Sequence, residues 1–227
     1  MAAPTSNKPV ILYSETTPNG IVVSAYLEEL KDKYGAPDYE AIKLSIRDAD
    51  IGKVHLQVKS PWFLEINPNG RIPAITHNGF PVFETSAILL YLSQQFDKDH
   101  VFSRDVNDVQ AYSQELQWLF FAHGGIGPMQ GQAGHFIRAA PEKIPYGIKR
   151  YSDETKRLYG VLESRLKNRE YLLDNGFGIA DIKAWGWVRS GPRLSIELDE
   201  FPKVKAWVEK IENRPAVQRG LNIPASN

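Results

Sequence analysis

The chain contains no cysteine. That absence excludes disulfides, thiolate metal sites and a cysteine nucleophile, so any thiol chemistry has to be brought in by a ligand. An excess of charge of one sign is also missing: 27 Lys plus Arg balance 27 Asp plus Glu over 227 residues. Divided at His100, the first part carries 9 basic and 12 acidic residues and the remainder 18 and 15. Imbalances of three are too small to point to nucleic acid or to an anionic membrane surface. No apolar run approaches the ~20 residues of a membrane helix. The N-terminal MAAPTSNKP lacks the apolar core of a signal peptide. The five histidines show no ligand spacing, so no metal site is expected. No repeat or low-complexity tract is present. These absences leave a cytoplasmic protein of one large or two small domains, with ample core.

What is present centres on Asn67 to Gln95, NPNGRIPAITHNGFPVFETSAILLYLSQQ. Arg71 to Ile75 reads as a strand, His77-Asn78-Gly79 as a hairpin turn, and Phe80 to Glu84 as the partner strand. Thr85 opens a helix, because its hydroxyl can accept from an orphan first-turn N–H. Pro73 stands inside a strand pattern, where it cannot donate to a ladder. Glu84-Thr85 stands where backbone N–H groups and the helix dipole favour an anion.

Upstream, Pro9 to Tyr13 reads as a strand and SETTPN as a loop. Ile21, Val22, Ala25, Tyr26, Leu27 and Leu30 mark a helix that Gly35 and Pro37 end. Tyr39 to Ile46 is a second strand, and the β-α-β order implies a right-handed parallel crossover. A short helix is expected near Trp62 and Leu64. The predicted fold is α/β followed by all-α: a thioredoxin-like βαβ-α-ββα domain over 1–97, a charged linker over 98–105, and a helical bundle over 106–227. Gly124-Gly125 and Gly127-Pro128 should kink or interrupt the first bundle helix. Gly125, Gly127 and Gly131 lack the preceding strand of a nucleotide-binding loop and read as sites of close helix approach.

The register from Asn67 to Leu92 resembles the glutathione-binding half-motif of the thioredoxin-fold glutathione transferases, and the two-domain plan extends the resemblance over nearly the whole chain. FFAHGGIGPMQGQAGHF (Phe120 to Phe136) and the terminal NRPAVQRGL look like the fungal class related to the yeast nitrogen-catabolite regulator and prion protein. That regulator carries a long Asn/Gln-rich extension, whereas about eight ordinary residues precede the first strand here. The resemblance implies a homodimeric transferase, with glutathione as cosubstrate and no bound cofactor. It would conjugate glutathione to small hydrophobic electrophiles or reduce peroxides with it. A non-catalytic ligand carrier and a regulator that sequesters a transcription factor are the alternatives. With no protein thiol, members that reduce mixed disulfides through their own cysteine are excluded.

The resemblance also implies site residues. Pro73 is expected to be cis, with Ile72 offering its backbone to the cysteinyl part of glutathione. Glu84 and Thr85 are expected to hold the γ-glutamyl end. Asn19 is expected to face the sulfur; read without the resemblance, it is a helix-start residue. Thr16 is its rival as catalytic donor, with Ser14 and Tyr13 behind it. Lys59 and Arg71 are candidates for the glycyl carboxylate. Related proteins carry a histidine where this chain has Val58, so backbone, Lys59, His55 or His77 must supply that grip. Trp118, Phe121, His123 and Met129 are expected to line a hydrophobic acceptor site, against the plainer reading of core packing. Gly178 replaces the Ser or Thr of the family's capping box, at an expected cost of a few tenths of a kcal/mol.

Overall fold

The fold was analysed in a computed structural model that describes residues 3–174 and 176–225. It divides into two units, 1–99 together with 215–227, and 100–214. Among the described residues no helix is long and apolar enough to cross a membrane.

The first unit is a four-stranded mixed sheet of order β2-β1-β3-β4, with the helices of a thioredoxin-like domain. β1 (Val10–Ser14) pairs parallel with β2 (Tyr39–Lys43) and antiparallel with β3 (Ala74–His77). β4 (Phe80–Phe83) returns along β3 through Asn78 and Gly79, whose φ angles of 50° and 84° are the two positive values a tight hairpin turn demands. β3 starts later than the predicted Arg71. Asn67 Nδ2 donates to the Arg71 carbonyl at 2.7 Å, and Pro73 has no N–H to give, so pairing begins at Ala74. β2 is shorter than predicted because Ser45 turns away to bridge Gln57.

Helix α1 (Pro18–Tyr34) starts at Thr17, whose Oγ1 accepts from Gly20 N–H at 3.1 Å, and ends at Gly35 with φ 70°. Every residue from Gly20 to Leu30 is buried, Glu28 and Glu29 included, rather than the one stripe predicted. The cause is α9 (Pro215–Gly220), which packs on α1. A Cβ on Gly220 would lie 2.4 Å from Ala25 Cα, so glycine permits the contact. Ser24 Oγ donates to the Gly220 carbonyl at 2.7 Å, and Arg219 donates to Glu28 at 2.7 Å and to Asp32. The terminal helix therefore belongs with the sheet, where the sequence reading had drawn 106–227 as one domain.

The 100–214 unit is helical: α4 (Val109–Phe120), α5 (Gly127–Arg138), α6 (Pro145–Leu166), α7 (Ile179–Val188) and α8 (Pro202–Glu212). The predicted interruption is a π-helical segment, Phe121–Ile126. A Cβ on Gly127 would stand 3.0 Å from Trp187 Nε1, and one on Gly131 3.4 Å from the same ring, as close helix packing requires. The capping departure at Gly178 has a specific cause. Its absent Cβ would sit 2.5 Å from the Phe102 carbonyl, which instead accepts from Ile179 N–H at 2.9 Å. A backbone acceptor thus does the work of the missing side chain, while Asp181 accepts from Gly178 N–H at 3.2 Å.

Candidate active site

The sheet register brings Ser14, Ile72, Pro73, Glu84 and Thr85 to one end. Tyr13 pairs with Ala74, and Ala74 with Phe83. One step beyond that row lie Ser14, Pro73 and Glu84; two steps beyond lie Glu15, Ile72 and Thr85. The N-terminus of α1 follows directly from the same end of β1. Ile72 lies outside the ladder, and the Ile72–Pro73 peptide is cis.

Glu84 is the conformational outlier of this end. It is exposed and holds φ 71° and ψ 120°, at the N-cap of α3 (Thr85–Phe96). A non-glycine residue at positive φ carries about 1–3 kcal/mol of strain, and such residues cluster at binding sites. Thr85 is buried and is the first residue of α3 rather than its cap, which is Glu84 and makes no side-chain capping bond, so the expected Thr85 hydroxyl cap is not formed; the first-turn N–H groups and the dipole of α3 are what this end offers an anion.

The rivals for the sulfur separate by proton bookkeeping. Tyr13 is a core residue, packed at 5.8 Å on both Trp62 and Phe63. Its pKa is raised chiefly by burial, with Glu40 adding to the rise and a hydrogen bond to Thr76 opposing it. Ser14 is fully buried and its Oγ donates to the Glu15 carbonyl at 3.3 Å. Thr16 is exposed, but its Oγ1 donates to Glu15 Oε1 at 3.0 Å, and its N–H donates to the same oxygen at 2.8 Å. Asn19 stands in the first turn of α1, half-buried. Thr17 was missed by the sequence reading. Its Oγ1 accepts from Gly20 N–H, which leaves its own proton to donate. The signal was there in Thr17-Pro18, an N-cap followed by proline at the first helical position.

Lys59 folds over the turn that precedes Arg71, its Nζ donating to the Asn69 carbonyl at 2.9 Å. Gly70 makes room for it: φ is 59°, and a Cβ there would lie 2.6 Å from Lys59 Nζ and 2.8 Å from the Val58 carbonyl. Arg71 is exposed beside this turn, so the two cations share a short stretch of surface. Val58 itself is 4% exposed in the cluster of Tyr13, Trp62 and Phe63, and offers a ligand no side-chain contact. His77 is at the opposite end of β3, paired with Val10, with Nδ1 2.9 Å from Tyr91 Oη. It is therefore removed from the glycyl candidates. His55 stays near Trp62, with ring centroids 5.7 Å apart, and its carbonyl accepts from Trp62 Nε1.

In the helical unit the four proposed acceptor residues are spread over α4, the π-helical segment and α5. Trp118 and Phe121 meet edge to face at 5.5 Å, with the Arg165 guanidinium 5.4 Å above the Trp118 ring. His123 instead meets Phe120 at 6.4 Å, and Met129 follows, half-buried, on α5.

Residues 8–94 match the family model described as glutathione S-transferase, N-terminal domain, and residues 143–215 the corresponding C-terminal domain. The chain is 43% identical over 217 residues to disulfide-bond oxidoreductase YfcG of Escherichia coli strain K12, covering 92% of this chain and 93% of that protein. Among solved structures, it is similar to a glutathione transferase homolog from Lodderomyces elongisporus with two GSH per subunit. That match has 38% identity and a TM-score of 0.84, over 96% of this chain and 99% of the other. It is also similar to Ure2p in complex with glutathione, with 32% identity and a TM-score of 0.83 over 96% of this chain and 95% of the other.

Proposed function

This chain belongs to the glutathione S-transferase family, and from that premise we propose that it is a cytoplasmic enzyme that binds glutathione at the Ile72–Glu84 end of its sheet and uses the bound thiolate as nucleophile. The observation that supports the reading is the register that ends β1, β3 and β4 in one row at Tyr13, Ala74 and Phe83, so that the α1 N-terminus, the cis Ile72–Pro73 peptide and Glu84, held at positive φ, all follow from the same end of the sheet. In this reading Ile72 pairs with the tripeptide backbone as an added strand would. Glu84 takes the γ-glutamyl ammonium and the N-terminus of α3 its carboxylate. Lys59 and Arg71 take the glycyl carboxylate. Asn19 and Thr17 donate to the sulfur. A free thiol has a pKa of about 8.5, and lowering it by about two units takes roughly 2.7 kcal/mol of differential stabilisation. Two donors and the α1 dipole are of that order.

The acceptor is a small hydrophobic electrophile or a peroxide. A disulfide is a second acceptor class, favoured by the name of the 43%-identical relative. With no cysteine in the chain, two glutathiones would do the work. The first thiolate attacks RSSR, forming GSSR and expelling RS⁻; the second attacks GSSR, giving GSSG and another RS⁻. Turnover with a chromogenic electrophile, a hydroperoxide and a small disulfide, each at saturating glutathione, distinguishes these chemistries. Glutathione binding without turnover on any of them would favour the ligand carrier. We also propose a homodimer, for which the exposed Phe80 and Phe83 of the edge strand β4 offer apolar surface. Light scattering of the purified protein tests it.

A further inference from the structure

The loop Ser14–Gly20 is closed on itself by hydrogen bonds, and Glu15 is at the centre of them. Its carbonyl accepts from Thr17 N–H at 2.7 Å and from Ser14 Oγ at 3.3 Å. The same carbonyl oxygen lies 1.9 Å from where a Cβ on Gly20 would stand, so only glycine lets the loop close there. Its Oε1 takes both the N–H and the hydroxyl of Thr16, and its Oε2 lies 3.7 Å from Lys43 Nζ on β2. A threonine hydroxyl has one proton. While it goes to Glu15, Thr16 can accept but cannot donate to a thiolate. Thr17, joined to the same network through its N–H, accepts from Gly20 N–H with its hydroxyl oxygen and keeps its own proton to donate.

We propose that the Glu15 side chain is a positioning group of the thiol site: it withdraws the Thr16 hydroxyl from the donors that can reach a bound sulfur, while the Glu15 main-chain carbonyl, which a side-chain substitution leaves in place, closes the loop that presents Thr17 and Asn19. The inference rests on the reading that glutathione binds at this end of the sheet. A groove of about 1000 Å³ flanks the loop on the β2 side, so the carboxylate is reached by solvent and by salt. The other charges around it are Lys43 and Glu40 on β2 and Arg47 and Asp50 beyond it, all lining that groove, and Glu84 at the start of α3. Lys43 Nζ is 3.7 Å from Glu15 Oε2.

The test is an ultraviolet titration of the glutathione thiolate in the binary complex, with affinity measured in parallel by calorimetry. Thr16→Val in the native background leaves the midpoint in place, because its proton is already spent. Glu15→Ala frees that proton and removes a negative charge, and lowers the midpoint by about half a pH unit or more. Adding Thr16→Val to Glu15→Ala reverses part of the fall. Glu15→Gln keeps an oxygen to hold the Thr16 hydroxyl, so its smaller fall, from charge alone, is unaffected by Thr16→Val. A midpoint that rises in Thr16→Val alone overturns the inference, since Thr16 would then touch the sulfur. So does an unmoved midpoint in Glu15→Ala with glutathione still bound. A native chain that binds no glutathione overturns the binding reading itself, and this inference with it.

Discussion

Glu84 is where conformation and chemistry conflict most openly. Its φ of 71° is a conformation that glycine adopts without strain. Glu84→Gly is expected to remove that strain and raise the thermal midpoint, a gain of about 1 kcal/mol after glycine's greater unfolded-state entropy is subtracted. The same change should cost glutathione affinity, about 1.5–3 kcal/mol if the carboxylate meets an ammonium. Thermal melts and calorimetry on one variant check both; a variant that is less stable and binds as well contradicts the account. For the sulfur, Asn19→Ala should move the pH midpoint of turnover upward by less than one unit, the worth of about one neutral hydrogen bond. An unmoved midpoint would return Asn19 to a helix-start role. The positions of Ile72, Pro73, Glu84 and Thr85 at one end of the sheet were legible because a hairpin turn and a helix start follow local rules; the roles proposed for them came from the family resemblance. The difference between Thr16 and Thr17 was not legible. It depends on which hydroxyl proton a neighbouring carboxylate captures, and both residues fit the same loop by type.

Among the elements, the start of α7 shows the same limit. From sequence, Gly178→Ser should restore a capping box and stabilise the helix. In the structure the new Cβ would stand 2.5 Å from the Phe102 carbonyl oxygen, a backbone atom with little freedom to move. Gly178→Ser is therefore expected to destabilise by more than about 1 kcal/mol in chemical denaturation, the scale of overpacking; a stabilised variant would contradict the packing described. No local pattern could have shown this, because the obstruction comes from 76 residues upstream. Asp181 is the centre of the same junction. Fully buried, it accepts from Leu172 N–H at 2.9 Å, Trp207 Nε1–H at 2.8 Å and Gly178 N–H at 3.2 Å. Burial lifts its pKa to about 6, against the pull of these donors and of Arg104. The folded value lies above the ordinary 3.8, so the folded state holds the proton more tightly. Its contribution is full below about 4 and is lost as pH rises through about 6. Asp181→Asn should lack that slope when its stability is compared with the native chain across pH 4–6. Asp181→Ala should cost about 3 kcal/mol or more, since three buried donors lose their acceptor. Equal slopes in the native and Asn chains would refute the assignment.

At the scale of the molecule, a thioredoxin-like sheet unit and a helical unit were readable from periodicity and turn chemistry, because both depend on local spacing. The placement of 215–227 with the sheet was not, since it rests on Gly220 meeting Ala25 across nearly the whole chain length. The absence of cysteine, visible at once, has the widest consequence: in the proposed function the reactive sulfur has to arrive with glutathione, and the fold's task there is to bind it as a thiolate. Binding and ionisation can be read together by calorimetry of glutathione at pH 7.5 in several buffers of different ionisation enthalpy. With a free thiol near 8.5 and a bound thiol about two units lower, complex formation should release about 0.8 proton per site. S-methylglutathione, which has no thiol proton, should bind and release none. Heats independent of buffer for glutathione, or no binding at all, would contradict the account.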